Sequence, residues 1–267
     1  MTGRNWNWKN KNGAQGGLLY DSGNWGDMLK MLWLAEIVRW KQQNGCTVNY
    51  RDPFAGDVRY PLGKKIAFRL SRSCLQQLDF LQTPFLDKGF WPSAASGALL
   101  LATGETEVWD ADSGRRDAWR DAGVAVAENA ASGWDIVSRT AADPEAVLLV
   151  DPYDLLAEWQ ERLELIVEKS RTVSTLLYLY NRSGKSKEAF AEYRRFRGRL
   201  DDLAGETPKR IGRIAADGFL PDSYHEMIFL PCAADFARSG FGAALDRLGD
   251  CAAQLHRAQA ESSVFDC

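Results

Sequence analysis

The amino-acid sequence predicts an α/β chain built on a seven-stranded, mostly parallel sheet with helices on both faces and a helical insertion after the first strand. Three observations carry this expectation. From Cys46 onward short β-rich runs alternate with helix-periodic segments, the order that produces parallel strands joined by crossover helices. The runs Val147–Val150 and Thr175–Leu179 are continuously apolar between polar flanks, as central strands covered on both faces must be. The last two strands have only Asp217–Tyr224 between them, too little for a crossover helix, so they pair antiparallel.

In chain order, a helix at Trp25–Gln43 precedes the first strand, Thr47–Asp52. The second strand begins only at Thr106, a gap longer than one crossover helix needs. Pro61–Gly89 therefore reads as an inserted helical segment over the carboxyl edge of the sheet, containing a helix at Arg69–Phe80, and a further helix follows at Ala94–Thr103. Strands follow at Thr106–Trp109, Val124–Ala127 and Ala146–Asp151, then helix Asp154–Lys169, strand Ser174–Tyr180 and helix Lys185–Ala204. Strands Arg210–Ala216 and Glu226–Leu230 and helix Ala233–Ala258 complete the chain. Helix Lys185–Ala204 carries Phe190, Tyr193, Phe196 and Leu200 on one stripe, ringed by Arg194, Arg195, Arg197 and Arg199, which read as a solvated face or as a phosphate contact. A length of 267 residues suits a single domain, residues 1–267, with the insertion at about 61–89.

Composition excludes several classes. Apolar residues make up 45% and charged residues 26%, ordinary for a globular chain, and no window approaches the ~18 uncharged apolar residues of a spanning helix. A net charge of −3 gives no general drive toward a polyanion. Five widely spaced cysteines and a polar N-terminus without an apolar leader core point to a reduced, cytoplasmic setting. Two histidines and no C-x-x-C pair advertise no metal site. All ten tryptophans lie between Trp6 and Trp159, as core or as a face for stacking on a planar ligand, and Asn5–Lys11 reads as a stacking arm, a lid or a frayed end.

In open α/β sheets ligands sit beyond the carboxyl ends of the strands. Three strands here run into acids: Asp52-Pro53-Phe54-Ala55-Gly56-Asp57, Trp109-Asp110-Ala111-Asp112 and Asp151-Pro152-Tyr153-Asp154. The first offers a small-residue turn that a ligand can approach, the second a carboxylate suited to a ribose diol, and the third an acceptor and a ring at the centre of the sheet. Each alone is also common turn chemistry, and their joint order is the stronger signal.

The order of elements resembles the Rossmann-like sheet of class I S-adenosylmethionine-dependent methyltransferases. Within that class, Asp21–Met31 resembles the H-A-G-N-H-A-D-V-L-K-H segment of the RlmJ family of large-subunit rRNA adenine-N6 methyltransferases, and Asp52–Tyr60 resembles its D-T-H-A-G-A-G-R-Y. Phe90-Trp91-Pro92-Ser93, Trp109-Asp110, Val150-Asp151-Pro152-Tyr153 and Leu220-Pro221-Asp222-Ser223 follow in the family's order. The resemblance implies S-adenosylmethionine as cofactor, with Lys30 and Gly56 near its methionine end, Asp110 on the ribose and Ser132-Gly133-Trp134 near the adenine. It makes Asp151, Tyr153 and Lys30 the candidate catalytic residues, and Asp52, Gly56, Asp57, Trp91, Asp110, Ser132, Gly133, Trp134 and Asp151 the candidate cofactor-binding residues.

Departures from the family point away from an rRNA base. Asp57 stands where a glycine is expected, and Ser132 stands where the family reads adenine with an acid. The D-P-P-Y loop is shortened to Asp151-Pro152-Tyr153, which removes one acceptor for an exocyclic amine. The leading expectation is a methyltransferase acting on a small-molecule nucleophile. The alternatives are a methyltransferase fold redirected to cyclisation or elimination on the cofactor's aminobutyrate arm, a non-catalytic binding protein, and the rRNA enzyme itself. A partner protein or a second copy of the chain stays open.

Overall fold

The computed structural model describes residues 6–7, 19–20, 24–61, 90–93, 97, 101, 104–152, 154–216 and 223–263. The expected helix Arg69–Phe80 and most of the insertion lie outside them, as do Tyr153 and Leu220–Asp222. Two short ribbons, β1 (Trp6–Asn7) with β2 (Leu19–Tyr20) and β4 (Arg59–Pro61) with β5 (Phe90–Pro92), are each antiparallel.

The main sheet comprises β3 (Tyr50–Asp52), β6 (Thr106–Val108), β7 (Ala125–Val126), β8 (Val147–Val150), β9 (Ser174–Asn181), β10 (Arg210–Ala215) and β11 (Tyr224–Leu230). Its spatial order is β10-β11-β9-β8-β3-β6-β7. Every pair from β7 to β9 is parallel, while β11 runs antiparallel to both β9 and β10. This is the expected seven-stranded sheet with one reversed strand, and β8 is buried at all four positions.

Alternation along the strands divides the core. Val147, Leu149, Leu176 and Tyr178 face one side with α1 (Trp25–Gln43) and α6 (Phe241–Ser263). Leu148, Val150, Leu177 and Leu179 face the other with α4 (Leu155–Ser170) and α5 (Lys187–Ala204). Helix α1 is buried nearly all round, which is why its 19 residues show no polar face and why Lys30 and Lys41 both end up inside. Gly212 on β10 admits it closely, because a Cβ there would meet the Trp33 ring.

The tryptophans of the described core, Trp25, Trp33, Trp40, Trp109, Trp119, Trp134 and Trp159, are buried. Two helices were not visible in the pattern: α2 (Ser113–Asp121), whose only buried residue is Trp119, and the seven-residue α3 (Gly133–Arg139). Both are held by caps, Asp112 accepting from the amides of Gly114 and Arg115, and Ser132 from that of Asp135. The expected helix Ala233–Ala258 is instead a 3₁₀ turn, Ala233–Ala237, followed by α6, with Gly240 at φ 68° between them. Of the α5 arginines, Arg195, Arg197 and Arg199 pair with Glu192, Glu226 and Glu164.

Candidate active site at the carboxyl edge

Strand β3 ends in Asp52, whose carboxylate accepts the Phe54 amide (3.1 Å) and the Tyr50 hydroxyl (3.0 Å). The following turn reaches Gly56 at φ 67°, a backbone state that favours glycine. There the Gly56 amide donates to Asp110 Oδ2 (3.1 Å), and its carbonyl accepts Trp119 Nε1 (3.0 Å). Asp110 follows β6 and also accepts the Asp112 amide on Oδ1 (2.8 Å). The turn after β3 and the acid after β6 are thus joined as one unit.

Arg115, in the first turn of α2, holds both acids. Its Nε and Nη2 fork onto Asp57 (3.0 and 3.3 Å), and Nη1 reaches Asp110 Oδ2 (3.3 Å). The charge that Asp57 adds beside the turn is therefore neutralised from α2.

The second half of the site gathers on α1. Asn24 caps the helix by accepting the Asp27 amide (3.0 Å). Lys30, only 5% exposed, places Nζ 2.8 Å from Asp27 Oδ1 and 2.7 Å from Asp151 Oδ2. Burial pushes the Asp151 carboxyl up to about 6 despite the Lys30 ammonium beside it. Burial likewise pushes Asp52 up to about 7, opposed by the Phe54 amide and reinforced by the Asp151 charge. The Tyr50 phenol is held well above its ordinary value, first by burial and then by Asp52.

Ser132-Gly133-Trp134 sits beside the same turn. A Cβ at Gly133 would strike the Pro53 carbonyl and the Phe54 ring, so this glycine is what lets α3 press on the Asp52–Gly56 loop. The Ser132 hydroxyl caps α3, and the Trp134 ring is enclosed by Phe54 (5.1 Å between centroids), Arg162 and Glu158. Trp91 lies on β5 opposite Tyr60.

The structure thus joins Gly56, Asp57 and Asp110 through Arg115, and joins Lys30 to Asp151, with Asp52 electrostatically coupled to that pair. Sequence reasoning gave no role to Asp27, Arg115, Tyr50, Tyr178 or His225. Asp27 had a signal, an acid three residues before a lysine in a helix's first turn. Arg115 had none while α2 itself was unseen.

No protein-family model and no curated protein matches the sequence. Among solved structures, the chain is similar to protein LPL1258 from Legionella pneumophila, described under the family model DUF519, with 13% identity over 86% of this chain and 92% of that one and a TM-score of 0.62. Looser overlaps are with the plantazolicin methyltransferase BamL in complex with a triazolic desmethylPZN analogue and SAH (6% identity, 78% and 85% covered, TM-score 0.42) and with Aeropyrum pernix fibrillarin with natively bound S-adenosyl-L-methionine (12% identity, 74% and 76% covered, TM-score 0.37). Counted along the chain, the sheet order is 3-2-1-4-5 followed by the reversed last strand and then the sixth, the Rossmann-like order expected of a class I methyltransferase sheet.

Proposed function

We propose that this chain is an S-adenosylmethionine-dependent methyltransferase acting on a small-molecule nucleophile, a divergent relative of the RlmJ-like enzymes. The observation that carries this reading is the placement, on one carboxyl edge, of the Gly56–Asp110 bridge and the Lys30–Asp151 pair. The residues of this edge fit the cofactor: the Asp110 carboxylate would take the diol and Asp52 the ammonium, while Asp57 is paired with Arg115 and Lys30 with Asp27 and Asp151. When bound, the cofactor supplies an activated methyl group, so the protein's share is mostly positioning. Asp110 and Gly56 hold the ligand, and α3 closes the wall beside the turn. Asp151, kept on the rigid end of β8 by Lys30, accepts a hydrogen bond from the nucleophile's N–H or O–H and takes its proton as it reacts.

The shortened Asp151-Pro152-Tyr153 loop and the net charge of −3 support a small acceptor over a base in rRNA. Incubation of the pure protein with S-adenosylmethionine, alone and with candidate amines and alcohols, followed by mass spectrometry, tests the reading. A methylated acceptor with stoichiometric S-adenosylhomocysteine is expected. Methylthioadenosine formed without an acceptor would replace it with cyclisation or elimination, and methyl transfer to ribosomal RNA at enzymatic rates would overturn the substrate class.

Asp110→Ala is expected to weaken S-adenosylhomocysteine binding by about 1.5–3 kcal/mol, because the hydroxyl partners lose a charged acceptor and Arg115 an anchor. Unchanged calorimetric affinity would refute the assignment. On the acceptor so identified, Asp151→Asn is expected to slow turnover about a hundredfold with cofactor affinity little changed. Full turnover in the variant would remove Asp151 from the mechanism.

A further inference from the structure

Tyr178 and His225 lie outside every motif of the sequence, yet the structure packs Tyr178 against Lys30 and His225 against Tyr178. Tyr178, on β9, presents its ring to Lys30 Nζ at 4.5 Å from the centroid. Its hydroxyl is 2.7 Å from His225 Nδ1 on β11, and His225, 5% exposed, lies between the rings of Tyr178 and Tyr180 with centroids at 6.1 and 5.4 Å. The backbone is fitted to this pair. A Cβ at Gly26 would come within 2.5 Å of His225 Nδ1 and 2.6 Å of the Tyr178 hydroxyl, so a glycine at the start of α1 is what allows helix and ring pair to coexist.

We propose that Tyr178 and His225 are positioning residues that hold the Lys30 ammonium on Asp151, an inference that rests on the reading of that pair as the reacting edge of the site. Burial keeps the Tyr178 phenol protonated, and it shares one hydrogen bond with His225 Nδ1 whose direction is set by the imidazole tautomer. The hydrogen bond fixes the ring, and the ring face packs on the ammonium beside the Asp27 and Asp151 carboxylates. Lys30 then has one low-energy place, and the oxygen of Asp151 that it binds has one direction.

Amine-selective acetylation followed by peptide mass spectrometry tests this without cofactor or substrate. Lys41, fully buried at a separate ion pair with Asp235, is the internal control. In the parent protein both lysines should react slowly. Tyr178→Leu, which removes the ring face, should raise the rate at Lys30 about tenfold and leave Lys41 unchanged, the loss of a desolvated cation–π contact. Tyr178→Phe keeps the face and should restore most of the protection. With only two histidines in the chain, nitrogen-15 spectra of His225 assign readily, and the tautomer balance they report in the parent should shift in Tyr178→Phe, which removes the hydroxyl partner of Nδ1. Equal acceleration at Lys30 and Lys41, or none at Lys30, would overturn the proposal. Failure of the parent to bind S-adenosylmethionine would instead sink the cofactor reading and leave these rates as they are.

Discussion

Asp235→Ala is expected to lower the unfolding free energy by about 3–5 kcal/mol, because it leaves a buried lysine without its counter-charge. Asp235 Oδ1 receives Lys41 Nζ (3.0 Å) and Arg238 Nη1 (2.6 Å), while Oδ2 receives the Cys232 amide (3.0 Å) and the Ser174 hydroxyl. Both Lys41 and Asp235 have side chains 0% exposed. Lys41 and Arg238 also converge on the Pro144 carbonyl at 2.8 and 3.1 Å. One carboxylate, with the two cations it binds, thus ties the end of α1, the loop before β8, the start of β9 and the turn after β11, all at the amino edge of the sheet, opposite the candidate site. With the anion gone, the ammonium keeps one carbonyl partner in a dry interior. Asp235→Asn, which preserves the shape, should fall between parent and alanine variant. Urea unfolding followed by circular dichroism decides, with Asp117→Ala at an exposed ion pair as a control that should shift by less than ~1 kcal/mol. A loss at Asp235 no larger than the control's would show that the network stabilises nothing.

That network illustrates what the sequence could and could not convey. The parallel sheet was legible because continuously apolar runs such as Val147–Val150 leave few alternatives, and the reversed strand because Asp217–Tyr224 is too short to cross over. Asp52, Asp110 and Asp151 were legible as strand-end acids, since the fold itself sends strand ends to the ligand edge. Lys41 and Asp235 are 194 residues apart and carry no periodic signal, so their meeting is a product of the tertiary packing alone. The same holds for Tyr178 and His225, which the β9–β11 register, with His225 opposite Tyr180, brings to one face. Asp57 stood in sequence as an acid where a glycine was expected. It proved to be half of a forked ion pair whose other half, Arg115, lies on a polar helix with a single buried residue.

Asp52→Asn is expected to stabilise the protein at pH 8 by about 3 kcal/mol and to destabilise it slightly at pH 4, a reversal of sign that follows from burial. The native carboxyl is raised from its ordinary 3.8 to about 7, so between those values the folded state holds a proton that the unfolded state has released. Stability from this group is fully present below pH ~4 and is lost as pH rises through ~7, at up to ~1.4 kcal/mol for each pH unit. Asparagine, neutral throughout, is spared that loss. It has one carbonyl oxygen where Asp52 accepts from both Phe54 and Tyr50, so a penalty of about 1 kcal/mol accompanies it at every pH and is all that remains in acid. Asp151, raised to about 6, adds a smaller slope of the same sign, which the Asp52 variant retains. The difference between parent and variant therefore reports Asp52 together with its coupling to Asp151, while uncoupled groups cancel. Urea midpoints measured at intervals from pH 4 to pH 8 should diverge steadily in favour of the variant. Parallel profiles would show that Asp52 is ionised throughout, and that this edge of the sheet stores no electrostatic strain for a cationic ligand to relieve.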